Sequence, residues 1–161
     1  MTPKLCLLLL PAKVEDLPYR ERVEDLLRAP GTAAIEPARV GSLRRVPDLL
    51  RDGIAATQAR RLKLNGVPRA IVAFSPLQYP LARALLARNP EAEIWFGLDP
   101  DGPPDNPALR ELHDAAATRA ALRFPAAGEP GQSIAEQNRP LWARMEKLGI
   151  ESGRLGSERE I

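Results

Sequence analysis

The chain is poor in the residues that would make its chemistry obvious. It has a single cysteine, Cys6, and a single histidine, His113, among 161 residues. One thiol excludes an internal disulfide, and one thiol with one imidazole excludes a zinc site built from those ligands. Cys6 lies inside an apolar run, where a thiol is expected to be buried and inert. Net charge is also scarce: 23 Lys and Arg against 21 Asp and Glu leave +2. The basic residues are interleaved with acids and form no stripe, which argues against nucleic acid as a partner. No apolar run approaches the roughly 20 residues needed to cross a bilayer. The longest candidate, Leu5 to Leu10, follows Lys4, has no clear cleavage site after it and soon meets Lys13, Glu15 and Asp16. It reads as the first core strand of a cytoplasmic protein, not as a signal peptide. No internal repeat is evident, and no glycine-rich phosphate loop follows that strand, where Pro11-Ala12-Lys13 stands instead.

What is present is punctuation. The 17 prolines fall mostly at the ends of predicted elements. The most informative stretch runs from Arg69 to Asp101. Ala70 to Phe74 is a short run, apolar on both faces and holding the β-branched pair Ile71-Val72, as a strand covered on both sides requires. Ser75-Pro76 stops it, because proline can donate no ladder hydrogen bond. A helix with Leu81, Ala84 and Leu85 inward follows and ends at Asn89-Pro90, and a second apolar run, Glu93 to Leu98, leads to Asp99. Strand, helix and strand make one crossover unit of a parallel sheet.

The rest of the chain repeats this alternation. Strands are predicted over Lys4 to Leu10, Thr32 to Ile35 (short or at an edge, because Pro37 follows) and Ala121 to Phe124. Helices are predicted over Pro18 to Arg28, from Pro47 to about Leu64, and from Pro107 with Asn106 as its cap. A final short amphipathic helix, Pro140 to Leu148, carries Leu141, Met145 and Leu148 on one face. Gly149-Ile150 supplies its stop, with Ile150 folding back on Met145. The expected fold is α/β: a single open, mostly parallel sheet with helices on both faces, Rossmann-like, with a short carboxyl-terminal helix. Residues 1–125 form that domain. Residues 126–161 supply a linker, the short helix and a charged tail expected to fray beyond Gly153.

In such sheets ligands bind beyond the carboxyl ends of the strands. That places Lys13, Ser75, Gln78, Tyr79, Asp99 and Asp101 as candidate ligand-binding residues, with catalytic residues unassigned and no metal site expected. Ser75, Asp99 and His113 follow the chain order of a hydrolase triad. However, the nucleophile elbow needs small residues two before and two after the serine, and Leu77 fails that need. Asp99-Pro100-Asp101-Gly102 has two readings. It is a turn by composition, or a pair of carboxylates able to hold a divalent cation, similar to the aspartate motifs of haloacid-dehalogenase-like phosphatases and of Asp-X-Asp glycosyltransferases.

Phe74-Ser75-Pro76-Leu77-Gln78-Tyr79-Pro80-Leu81-Ala82-Arg83-Ala84-Leu85, followed by Ala92-Glu93-Ile94-Trp95-Phe96, resembles the amino-terminal domain of GT-B glycosyltransferases. Leu109 to His113 and Ala120 to Phe124 are similar in placement to the helix and strand that follow there. The resemblance spans roughly Lys4 to Phe124. It implies an acceptor-binding half with a sugar-containing or other small polar ligand, a donor site supplied by a second Rossmann domain or a second subunit, and no resident cofactor beyond a sugar nucleotide as donor. An alternative is a non-catalytic interaction module that docks through Trp142 and Met145. A further alternative is a metal-dependent phosphotransfer enzyme using Asp99 and Asp101.

Overall fold

The computed structural model describes residues 2–10, 20–35, 48–98, 102–125 and 131–153. The elements alternate as β1 (Lys4–Leu9), α1 (Arg20–Leu27), β2 (Thr32–Ile35), α2 (Asp48–Arg61), β3 (Val67–Ala73), α3 (Tyr79–Arg88), β4 (Glu93–Leu98), α4 (Pro107–Arg119), β5 (Leu122–Pro125) and α5 (Ile134–Lys147). A single 3₁₀ turn, Pro76–Gln78, joins β3 to α3. All strand pairings are parallel, in the order β2-β1-β3-β4-β5. This is a Rossmann-like α/β sheet, as the alternation of elements requires. Its winding reverses once, between β1 and β3.

Strand alternation explains the two cores. Leu5, Leu7, Leu9, Ile71, Ala73, Ile94 and Phe96 face one way and meet Ala55 and Ala59 of α2, Leu81 and Leu85 of α3 and Ala116 of α4. Cys6, Leu8, Ala70, Val72, Trp95 and Phe124 face the other way and meet Val23 and Leu26 of α1 with Leu141, Trp142 and Met145 of α5. The central strands are apolar on both faces because both faces are covered. β3 begins at Val67, earlier than its apolar run indicates. Pro68 is tolerated there because β4 pairs only from Ala70 onward, and the β1 register slips at Leu5/Cys6, giving β3 one extra residue. Burial pushes the Cys6 thiol up, so it is protonated and inert.

The carboxyl-terminal helix is the main departure from expectation. It starts at Ile134, six residues before Pro140. Ser133 caps it, accepting from the Glu136 amide at 3.1 Å, and Pro140 lies inside it. Its apolar face is not a docking surface: Trp142 is 4% exposed and Met145 fully buried, both against the sheet of their own chain. Arg144 grips Glu93 of β4 with two bonds, 2.6 Å to Oε1 and 2.7 Å to Oε2, while the Trp95 indole donates to the same carboxylate at 2.8 Å. The helix stops as its glycine predicts. Gly149 has φ +75°, its amide donates to Glu146 at 3.1 Å, and the Ile150 amide donates to Met145 at 2.9 Å. The chain then runs beside the start of β2. There the Gly31 amide donates to the Glu151 carbonyl at 2.8 Å, and a side chain on Gly31 would stand 2.5 Å from Ile150 Cγ2.

Candidate functional site

The β1/β3 reversal point is the place to look for a ligand. Its geometry follows from the ladder. The Cys6 and Leu10 amides donate to β2, at Gly31 and Ile35, so the backbone hydrogen-bonding groups of the odd-numbered β1 residues point toward β3. With Leu9 beside Ala73, the amide of Phe74 points into the gap between the two strand ends. Gln78 reaches back into that gap. Its Oε1 accepts from the Phe74 amide at 2.6 Å and from the Ser75 amide at 3.3 Å. Gln78 is 5% exposed, and its Nε2 is buried with no hydrogen-bond partner.

The expected site residues separate into three kinds. Ser75, half-buried and extended at φ −148°, opens the 3₁₀ turn at the end of β3. Beside it Gln78 holds the strand end as described. Tyr79, 5% exposed, packs into the core beneath α3, with the Arg83 guanidinium 5.5 Å from its ring centre. Lys13, Asp99 and Asp101 lie outside the described residues. So do the rest of the hydrolase triad beyond Ser75 and His113, and the carboxylate pair of the metal reading. His113 sits in α4 with its ring edge on Phe96 at 5.5 Å and Nδ1 3.2 Å from Asp114. Among the described residues no group of three or more His, Cys, Asp or Glu side chains is gathered to hold a metal ion. Among them, too, no helix is long and apolar enough to cross a membrane.

A second polar centre, which the residue pattern had not suggested, lies beyond β5. Arg22 of α1, 2% exposed, donates from Nε to Asn138 Oδ1 at 2.7 Å, from Nη2 to the Gln137 carbonyl at 2.7 Å, and from Nη1 to the Pro125 carbonyl. Asn138 in turn donates to Asp25 Oδ2 at 2.9 Å and to the Arg22 carbonyl at 3.1 Å. The Arg22 guanidinium lies over the Phe124 ring, 4.9 Å from its centre. Burial pushes its pKa down to about 10, so it remains charged at neutral pH. A cavity of about 200 Å³ opens beside it, lined also by Pro125, Gln132 and Pro140. The signal for this centre was present in the sequence. Asn138 begins the same helical stripe as Leu141, Trp142 and Met145, and Arg22 and Asp25 share the buried side of α1 with Val23 and Leu26. These groups bond mainly to one another and to backbone carbonyls, as a structural clasp does.

No family model, no curated protein and no solved structure matches the chain.

Proposed function

We propose that the chain is a ligand-binding α/β domain that takes a small polar or sugar-containing molecule at the carboxyl ends of β1 and β3, in the manner of the acceptor-binding half of a glycosyltransferase. The observation that carries the reading is the single reversal of winding between β1 and β3, with the polar residues Ser75 and Gln78 at the end of an otherwise apolar strand. A parallel sheet diverges at such a reversal, because the two crossover helices leave on opposite faces. The crevice between them exposes strand ends to a ligand. On this reading Ser75 and Gln78 contact the ligand and Tyr79 stiffens the wall behind them. Lys13, Asp99 and Asp101 remain candidates from the sequence alone. The donor side of any transfer reaction belongs to a second Rossmann domain or a second subunit, with a sugar nucleotide as donor.

The test is a thermal-shift screen of the purified chain against neutral sugars, sugar nucleotides, free nucleotides and divalent cations. A ligand at about a hundredfold excess over its dissociation constant adds about 2.7 kcal/mol to the folded state. A rise in melting temperature with a sugar or sugar nucleotide is the expected result. No rise with any of these molecules overturns the reading, and a rise with a divalent cation alone transfers it to Asp99 and Asp101.

A further inference from the structure

The Gln78 side chain is half used. Its oxygen faces two backbone donors, the amides of Phe74 and Ser75. Rotating the carboxamide by half a turn would set an NH₂ group against both of them, so the assignment of oxygen and nitrogen is fixed by the neighbours. The NH₂ group is thereby directed away from them, buried, and without an acceptor. A buried donor left unpaired is costly, and native structures seldom retain one without a use. This one belongs to a carboxamide held at the end of β3, against the Phe74 and Ser75 amides.

The surrounding turn narrows what such a donor can read. A phosphate at the start of a helix is held by several free backbone amides. Here Pro76 and Pro80 have no amide hydrogen. The amides of Phe74 and Ser75 are given to Gln78 Oε1, that of Gln78 to the Ser75 carbonyl at 3.1 Å, and that of Tyr79 to the Pro76 carbonyl. The turn has little left to offer an anion. Besides the Leu77 amide and the Ser75 hydroxyl, it offers one well-fixed neutral donor, the Gln78 carboxamide nitrogen.

We propose that Gln78 is the ligand-reading group of this crevice and that it selects an uncharged acceptor oxygen, a sugar hydroxyl or a carbonyl, over a phosphate. The assignment rests on the ligand site proposed above and adds the class of group that enters it. Gln78 fixes the strand end with its oxygen and reads the ligand with its nitrogen. Ligand identity is thus coupled to the geometry of Phe74 and Ser75.

The experiment is NMR titration of the full chain, ¹⁵N-labelled, with N-acetylglucosamine, glucose, uridine and inorganic phosphate as separate probes. It is repeated on Gln78→Glu, which keeps the oxygen that accepts from Phe74 and Ser75 and removes the donor. The expected result is that a neutral probe moves the Gln78 side-chain NH₂ signals together with the backbone amides near Leu10 and Ser75. Its affinity should fall about tenfold in Gln78→Glu, and phosphate should produce no change there. A neutral probe that binds Gln78→Glu as well as it binds the parent chain overturns the role of Gln78 and leaves the site standing. So does a phosphate response at Ser75 to Tyr79. If no probe perturbs the residues around the β1 and β3 ends, both the role and the site are wrong. Should Gln78→Glu fail to fold, the NH₂ signals of the parent chain decide the matter alone.

Discussion

Two buried polar groups lie beyond the carboxyl ends of the strands, and they are finished differently. At β5, Arg22, Asn138 and Asp25 answer one another, and the guanidinium also reaches two backbone carbonyls. At β3, Gln78 satisfies two backbone donors with its oxygen and leaves its nitrogen empty-handed. The first arrangement joins three elements: α1, the end of β5 and α5. The second joins a strand end to its own turn. Burial alone therefore does not distinguish the clasp from the proposed site. The distinction lies in whether the hydrogen-bonding capacity is closed within the fold or held open at a place a ligand can occupy.

Substitutions can sharpen this contrast, beginning with the apolar half of the clasp. Trp142→Ala should lower stability by about 4 kcal/mol in urea denaturation, because it empties a large buried volume under α5. A concentration-dependent mass that disappears in this variant would instead return Trp142 to a partner surface. Arg22→Leu should cost about 3 kcal/mol, since Asn138 and two carbonyls lose their donor together. Gln78→Leu should cost only about 1 kcal/mol, for one acceptor shared by two amides at a strand end. If the β3 group proves as costly to remove as the β5 group, the contrast between clasp and site fails.

A pH experiment separates the same regions. Burial would raise the Glu93 pKa. The hydrogen bonds from Arg144 and Trp95, with the charges of Arg144 and Arg69, outweigh it and hold the carboxyl below its ordinary value of 4.5. A carboxyl lowered on folding contributes stability that is fully present above 4.5 and lost as pH falls through its folded value. Acid titration of stability should therefore be shallower in Glu93→Gln than in the parent chain below about pH 4.5. The variant should leave the β1/β3 crevice unaltered in any binding assay.

The sheet could be read from the sequence because its signals are local. Ala70 to Phe74 and Glu93 to Leu98 are apolar on both faces, and Asn106-Pro107 announces α4; its Oδ1 accepts from Ala108 and Leu109 at 3.0 and 3.2 Å. The start of α5 was misread because Pro140 resembles a first helical residue, whereas Ser133 with Glu136 three residues later is the stronger start signal. The role of Trp142 was misread for a related reason. A short helix after a linker looks unpartnered until the sheet face it completes is known. The clasp was least legible, because Arg22 and Asn138 are 116 positions apart and only the folded chain brings them together. Gln78 was legible as a polar residue at a strand end, but not as one whose two ends are used unequally.

The meeting of Gly31 with Glu151 has a consequence for how the protein is made. These residues are separated by 120 positions, and the edge beside β2 closes only when the later one arrives. Val72, Trp95 and Phe124 likewise wait for α5 to cover them. At ordinary synthesis rates, the stretch between β5 and Glu151 takes roughly one to five seconds to add. Through that interval a ribosome-bound chain carries an apolar sheet face with part of its cover still unmade. A window of exposure to self-association or to chaperone capture thus falls between the synthesis of β5 and that of Glu151.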